Sequence, residues 1–278
     1  MTEKDFRANI RVTIEKVRAE NPMAPSITNT VTQDFVANAQ LAVGGSAAMI
    51  YLPDEGEAMA EVARAMYINV GTLLPIYAET IPRTFRALNK NKTPFVVDPV
   101  AIGIGSLRTE LLSQLKNFKP TIIRGNPSEI ISLAKLWELT EGEGGKVRGV
   151  DSTEDVDAAA KSAIALAKFT GGAVAISGEH DLITDGNVSV YSLGGSPLLT
   201  KVTGGGCALG GVMAIYLTVA SPIIAAFTGS AVFNCAGNRA AELSDAPASF
   251  KVHFLDELYK ISAADVAASD FAVFNAEF

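Results

Sequence analysis

Apolar residues at Phe6, Ile10, Ile14 and Val17, spaced by four, four and three, give the first 20 residues one apolar helical face. Asn21-Pro22 and Pro25 interrupt it. Residues 31–43 carry a second helical pattern that stops near Gly44-Gly45. Ala47-Ala48-Met49-Ile50-Tyr51-Leu52 is apolar throughout and closed by Pro53, the pattern of a buried strand. The chain then alternates. Helices are predicted at 54–66, 76–90, 107–117, 127–138 and 155–169. Strands are predicted at 67–70, Pro94–Asp98, Thr121–Arg124 and Ala173–Ser177.

A strand with no polar face has both sides buried. Such strands between amphipathic helices predict a mostly parallel central sheet with helices on both faces. Asp185-Gly186-Asn187 is a turn signal between Leu182-Ile183-Thr184 and Val188-Ser189-Val190-Tyr191, which predicts antiparallel strands at the sheet edge. After residue 204 the pattern predicts helix only. No linker and no internal repeat divides the chain, so residues 1–278 are expected to form a single α/β domain.

From Val202 through Asn238, 37 residues pass without a charged side chain. Ser221-Pro222 splits the run into predicted helices at Cys207–Ala220 and Ile223–Gly237. Each is shorter than the ~20 residues that span a bilayer, so buried helices are expected rather than a membrane anchor. Composition narrows the classes further. Apolar residues make up 48% and charged residues 19%, which excludes disorder. A net charge of −7 speaks against nucleic acid as a partner. Two cysteines cannot build a disulfide framework, and the amino terminus has no secretory pattern, so a reducing, cytoplasmic setting is expected. No His/Cys pair has zinc spacing and no Gly-x-Ser-x-Gly elbow occurs. His180 and His253 are expected in surface or packing roles.

In open parallel sheets ligands bind beyond the carboxyl ends of the strands. Those positions hold Asn29, Met49, Gly71-Thr72, Asp98-Pro99, Arg124-Gly125-Asn126, Ser177-Gly178-Glu179 and Thr203-Gly204-Gly205-Gly206-Cys207. In the last of these, three glycines are expected to lead from a strand into a long apolar helix. Backbone amides and the helix dipole could there receive an anion, and the Cys207 thiol in the first turn is expected to have a lowered pKa. The functional reading is an anion hole for a transferring phosphoryl group, with Cys207 beside an acceptor hydroxyl. The alternative is a flexible turn with a buried, inert cysteine. The loop is neither a P-loop nor a dinucleotide fingerprint. In Arg124-Gly125-Asn126-Pro127-Ser128-Glu129, Pro127 suits a helix start. Glu129 could either satisfy the helix dipole or hold Mg²⁺, with Arg124 on a nucleotide phosphate. Asp98 is a further anionic candidate, with a turn or a helix cap as its alternative.

These segments occur in one order: Ser26-Ile27-Thr28-Asn29, Asn69-Val70-Gly71-Thr72-Leu73, Asp98-Pro99-Val100, Arg124-Gly125-Asn126-Pro127-Ser128-Glu129-Ile130 and Thr200–Cys207. Together they resemble the hydroxyethylthiazole kinase family of the ribokinase-like superfamily, over nearly the whole chain. The resemblance implies a ribokinase-like fold and ATP-dependent phosphorylation of 4-methyl-5-(2-hydroxyethyl)thiazole with Mg²⁺, in thiamine biosynthesis. By motif position it implies that Met49 and Asn29 lie in the thiazole pocket and Gly204 in the substrate and anion-hole region with Gly205 and Gly206. Arg124 and Ser177 would contact ATP, and Glu129 and Asp98 would organise the metal. It also implies a homotrimer with sites between subunits. The chain departs from the family's usual pattern at Pro25 (His), Asp34 (often Asn), Ala101 (Gly), Ser177 (Thr) and Gly205 (Ala). The mechanism expected is that Cys207 orients or deprotonates the hydroxyl while the glycine amides, Arg124 and Mg²⁺ neutralise charge. Rival readings are a sibling kinase of pyridoxal or hydroxymethylpyrimidine, whose families carry aspartate or a different glycine-loop context at Cys207, and a non-catalytic nucleotide-binding protein.

Overall fold

The computed structural model describes residues 1–140 and 156–276. One continuous sheet of eight strands runs through it in sequential order: β1 (Ser26–Ile27), β2 (Met66–Asn69), β3 (Phe95–Asp98), β4 (Ile122–Gly125), β5 (Ala173–Ile176), β6 (Asp181–Thr184), β7 (Val188–Ser192) and β8 (Phe271–Asn275). The first five are parallel, and β5 through β8 pair antiparallel. The expected class, a mostly parallel sheet with an antiparallel edge, is what forms.

Side-chain alternation along each strand builds two cores rather than one. Met66, Ile68, Phe95, Val97, Ile123, Val174 and Ile176 face α3 (Pro53–Val62), α4 (Tyr77–Asn91), α5 (Ser106–Leu115), α6 (Pro127–Leu136) and α7 (Val156–Thr170). Tyr67, Val96, Ile122, Ala173 and Ala175 face the other layer. That layer joins both ends of the chain. It holds α1 (Glu3–Glu20), α2 (Gln33–Ala42), α8 (Gly205–Leu217), α9 (Pro222–Leu243), α10 (Pro247–Lys260) and α11 (Ala263–Ala267). Phe6 of α1 meets Phe227 of α9 edge-on, ring centroids 5.5 Å apart, and Phe227 meets Phe271 of β8 at 4.8 Å. Each fully buried side chain of this size contributes ~1.5–3 kcal/mol of transfer free energy.

Several expectations are corrected. The apolar run at 47–52 is not a strand. It lies beside β1 through the single bridge Ser26↔Met49, with Ser26 N–H donating to Ala48 O and Ile50 N–H to Ser26 O. After residue 204 the chain is not all helix, because Phe271–Asn275 returns as the outer strand β8. A 3₁₀ turn at Pro197–Lys201, not a strand, leads into the glycine loop. α9 is 22 residues long, not 15, and it carries Arg239 and Glu242. Among the described residues, no helix is long and apolar enough to cross a membrane. Asp155, the expected first residue of α7, lies outside the described residues.

α8 has no polar face. Every residue from Cys207 to Leu217 is buried, against β2, β3, α2 and α9. Such a helix needs small residues to seat it, and Gly210 lies where a Cβ would stand 2.5 Å from the Tyr67 ring.

Candidate active site

Period-two alternation assembles the site. If Tyr67, Val96, Ile122 and Ala175 face the layer of α8 and α9, then Asn69, Asp98, Arg124 and Ser177, each two residues further along or at the strand end, face that layer too. The N-terminus of α8 stands over them. Gly204, the residue before this helix, has φ of +92°, a conformation that costs a residue with a Cβ ~1–2 kcal/mol. Its carbonyl accepts from Ala208 N–H at 2.8 Å. The Gly205 amide is directed at Val202 O, 3.4 Å away. The amides of Gly206 and Cys207 are thus the first-turn donors left without a carbonyl partner among the described residues. Together with the helix dipole they form a seat for an anion.

A hydrogen-bonded chain runs beneath that seat. Cys207 Sγ accepts from Asn29 Nδ2 at 3.4 Å and from Asn69 Nδ2 at 3.2 Å. Asn69 Nδ2 also donates to the Tyr67 hydroxyl at 2.8 Å, and Tyr67 donates to Asp98 Oδ2 at 3.2 Å. Arg124 Nη1 reaches the same Asp98 oxygen at 3.1 Å, while its Nη2 donates to Ser177 Oγ. Asn29, Asn69, Asp98, Arg124 and Cys207 are all buried. Tyr67 and Asn69 were not among the candidate residues of the sequence reading, because an apolar strand makes an aromatic and its neighbour look like core. The Asn69-Val70-Gly71-Thr72 segment was the available signal: Asn69 Oδ1 accepts from Gly71 N–H at 2.9 Å, a side-chain-supported strand end.

Burial sets the charges here. It pushes the Asp98 carboxyl up to about 7, with Glu129 adding to the effect and the Arg124 guanidinium opposing it. Burial works against the Arg124 charge, but Asp98 and Glu129 outweigh it and hold that proton firmly. Burial, then the Asp98 charge, raises the Tyr67 phenol well above its ordinary value, so it stays an O–H donor. The expectation of a lowered Cys207 thiol is overturned. Burial and then Asp98 push it up, against Arg124 and Asn69, because the thiol points into the protein rather than into open solvent at the helix end.

Glu129 is held within this face by its own helix. Asn126 caps α6 by accepting from Glu129 N–H at 2.9 Å, and Glu129 Oε2 accepts from Asn126 N–H at 2.9 Å. Its Oε1 accepts from Ala101 N–H at 3.2 Å. Ala101 holds φ of +59°, a left-handed conformation for a residue with a Cβ. Among the described residues no cluster of three or more His, Cys, Asp or Glu side chains forms. Asp98 Oδ1, however, is buried without a partner, and oxygen donors of this kind suit a partly hydrated Mg²⁺. Met49 stands apart from the network, at the sheet edge beside β1, packed on the α8-side core. His180 faces Asp157 at 3.7 Å and the Tyr191 ring, and His253 lies on α10, both as packing or surface groups.

A family model described as hydroxyethylthiazole kinase family matches residues 14–264. The chain belongs to the hydroxyethylthiazole kinase family. It is 46% identical over 276 residues to hydroxyethylthiazole kinase of Bifidobacterium adolescentis, covering 95% of this chain and 94% of that protein. It is 44% identical over 250 residues to the Leptospira interrogans protein of the same name, covering 90% and 92%. The solved structure of hydroxyethylthiazole kinase from Pyrococcus horikoshii superposes with a TM-score of 0.84 at 28% identity, over 96% of this chain and 99% of that one. Pyridoxal kinase from Staphylococcus aureus in complex with ADP shares the fold, with a TM-score of 0.61 at 16% identity over 91% and 98% of the two chains. The fold is ribokinase-like and the protein is a kinase.

Proposed function

We propose that this kinase transfers the γ-phosphoryl group of ATP to the hydroxyl of 4-methyl-5-(2-hydroxyethyl)thiazole, in thiamine salvage, as one domain spanning the whole chain. The observation that carries the reading is the Cys207–Asn69–Tyr67–Asp98–Arg124–Ser177 chain, buried as far as the half-buried Ser177, lying beneath the amides of Gly206 and Cys207. Neutral amide and thiol groups stand at one end, suited to an alcohol. Cationic and hydroxyl groups stand at the other, suited to phosphates.

Phosphoryl transfer goes through a loose transition state, so placement and charge outweigh a strong base. Asn29, Asn69 and Cys207 orient the acceptor hydroxyl. A raised thiol pKa makes Cys207 chiefly a positioning group near neutral pH. Arg124 and Ser177 hold the nucleotide phosphates, and the Gly206 and Cys207 amides receive charge that develops on the transferring group. Mg²⁺ would be held by the free oxygen of Asp98 directly and by Glu129 through water, since both Glu129 oxygens already accept backbone N–H groups. When bound, Mg²⁺ supplies neutralisation of the β- and γ-phosphate charge. Met49 lines the thiazole side, completed by a neighbouring subunit of a homotrimer, and the enzyme acts in the cytoplasm.

A coupled ATP-consumption assay over thiazole, pyridoxal and hydroxymethylpyrimidine alcohols tests this reading. Turnover is expected with the thiazole alcohol at the highest kcat/KM. Preference for either other alcohol, or no turnover with any, would overturn it.

A further inference from the structure

Tyr67 occupies a core position on β2, with no exposure to solvent, where an aliphatic side chain would bury its surface without also burying a hydroxyl. The hydroxyl makes both of its bonds inside the site, accepting from Asn69 at 2.8 Å and donating to Asp98 at 3.2 Å. Asn69 reaches Cys207, and its Oδ1 accepts from Asn29 Nδ2 at 3.1 Å. Asp98 Oδ2 is shared between Tyr67 and Arg124, while Oδ1 has no partner. The phenol is therefore the joint between the acceptor-side groups and the nucleotide-side groups. A second contact leads to the same residue. Gly210, one helical turn beyond Cys207 on the same face of α8, rests on the Tyr67 ring so closely that a Cβ there would stand 2.5 Å from it.

We infer that Tyr67 is a positioning residue that couples the two halves of the site: a nucleotide engaging Arg124 and Asp98 fixes, through the Tyr67 hydroxyl and the Asn69 amide, the orientation of Asn29 and Cys207 that receives the acceptor alcohol. Arg124 and Tyr67 both donate to one oxygen of Asp98. When a phosphate draws on Arg124, Tyr67 becomes that oxygen's main donor and the Tyr67–Asn69 contact tightens. Coupling of this kind is reciprocal, so the acceptor strengthens nucleotide binding by the same factor. The inference rests on the kinase reading above.

The test is calorimetric titration of the thiazole alcohol into the full-length protein with Mg²⁺, with and without saturating β,γ-methylene-ATP, for wild type and Tyr67→Phe. Wild type is expected to bind the alcohol about fivefold or more tightly with the nucleotide present. Tyr67→Phe keeps the ring under Gly210. It is expected to bind each ligand alone within about twofold of wild type, to lose the coupling, and, at saturating alcohol, to lower kcat about tenfold while KM for ATP rises by about the fivefold coupling lost. A purely structural role for Tyr67 would not alter the coupling selectively. Coupling undiminished in Tyr67→Phe, or absent in wild type, overturns the inference. A wild type that binds nucleotide but no thiazole alcohol overturns the functional reading itself, and the inference with it. If Tyr67→Phe does not fold, as judged by circular dichroism, Asn69→Ala breaks the same joint, and coupling retained in that variant overturns the inference equally.

Discussion

Gly206 lies directly on the guanidinium of Arg124: a Cβ at Gly206 would stand 2.4 Å from Nη1 and 2.6 Å from Nη2. The helix that supplies the anion seat and the cation that faces the phosphates are thus in contact, with no room for a methyl group between them. Gly206→Ala is expected to displace Arg124 and lower kcat/KM for ATP about a hundredfold, the scale of an ångström-level misplacement. Gly205→Ala meets nothing closer than Leu199 O at 3.4 Å and should cost less than about threefold. Steady-state kinetics on the two variants, with thermal melts to confirm folding, check the contrast.

Cys207 is expected to act by placement rather than as a thiolate base, because burial raises its thiol. Cys207→Ser retains a small group that can face Asn29 and Asn69, so kcat at pH 7 should fall no more than about tenfold. Loss of a general base would cost ~10²–10⁴-fold. A kcat loss in that larger range would restore the base role.

Ala101→Gly should stabilise the protein. The left-handed conformation at φ +59° costs an alanine ~1–2 kcal/mol, and glycine's extra chain entropy returns ~0.5–1 of that. A net gain of about 0.5–1 kcal/mol is expected in denaturant unfolding, with kcat unchanged, since the backbone bond to Glu129 remains.

Asp181 gives a pH signature. Burial is the main cause that raises its carboxyl to about 6 from 3.8, against donors from Gly178 N–H and Asn234. The folded chain binds this proton more tightly than the unfolded chain, so the stabilisation is complete below about pH 4 and lost as pH rises through about 6. Asp181→Asn stays neutral throughout, and a turned Asn234 amide can still meet both position 181 and Ser192, which now stand 3.2 and 3.1 Å from it. The difference in Tm between variant and wild type should therefore grow in the variant's favour from pH 4 to pH 7. A difference constant with pH would remove Asp181 as its source.

The parallel strands were legible because β2 to β5 are apolar on both faces, a signal that survives any detail of tertiary packing. Their polar end residues, Asp98, Arg124 and Ser177, stood out against that background for the same reason. β1 did not, since two residues, Ser26 and Ile27, carry no period. The run at 47–52 looked like a strand because it is short and apolar, but only Met49 finds a bridge partner. β8 was hidden by its position after four helices, with nothing in Phe271–Asn275 to say that the chain returns to the sheet edge. The thiol of Cys207 was misjudged because burial of the group outweighs the lowering expected of a helix N-terminus. The sequence does not say that this first turn faces the sheet.

The strict sequential order of the strands gives the order of assembly on the ribosome. A nascent chain that has emerged through Ile176 holds all five parallel strands and the helices of one layer, yet Tyr67, Val96, Ile122 and Ala175 have no cover until α8 and α9 follow. Phe6, made first, waits for Phe227 and Phe271, made more than 200 residues later. Contacts so distant in sequence form late, and until then an apolar sheet face is open to chaperones and to other chains. The first of the covering helices carries Gly206 and Cys207, so the segment that begins to close the open sheet face also completes the catalytic site.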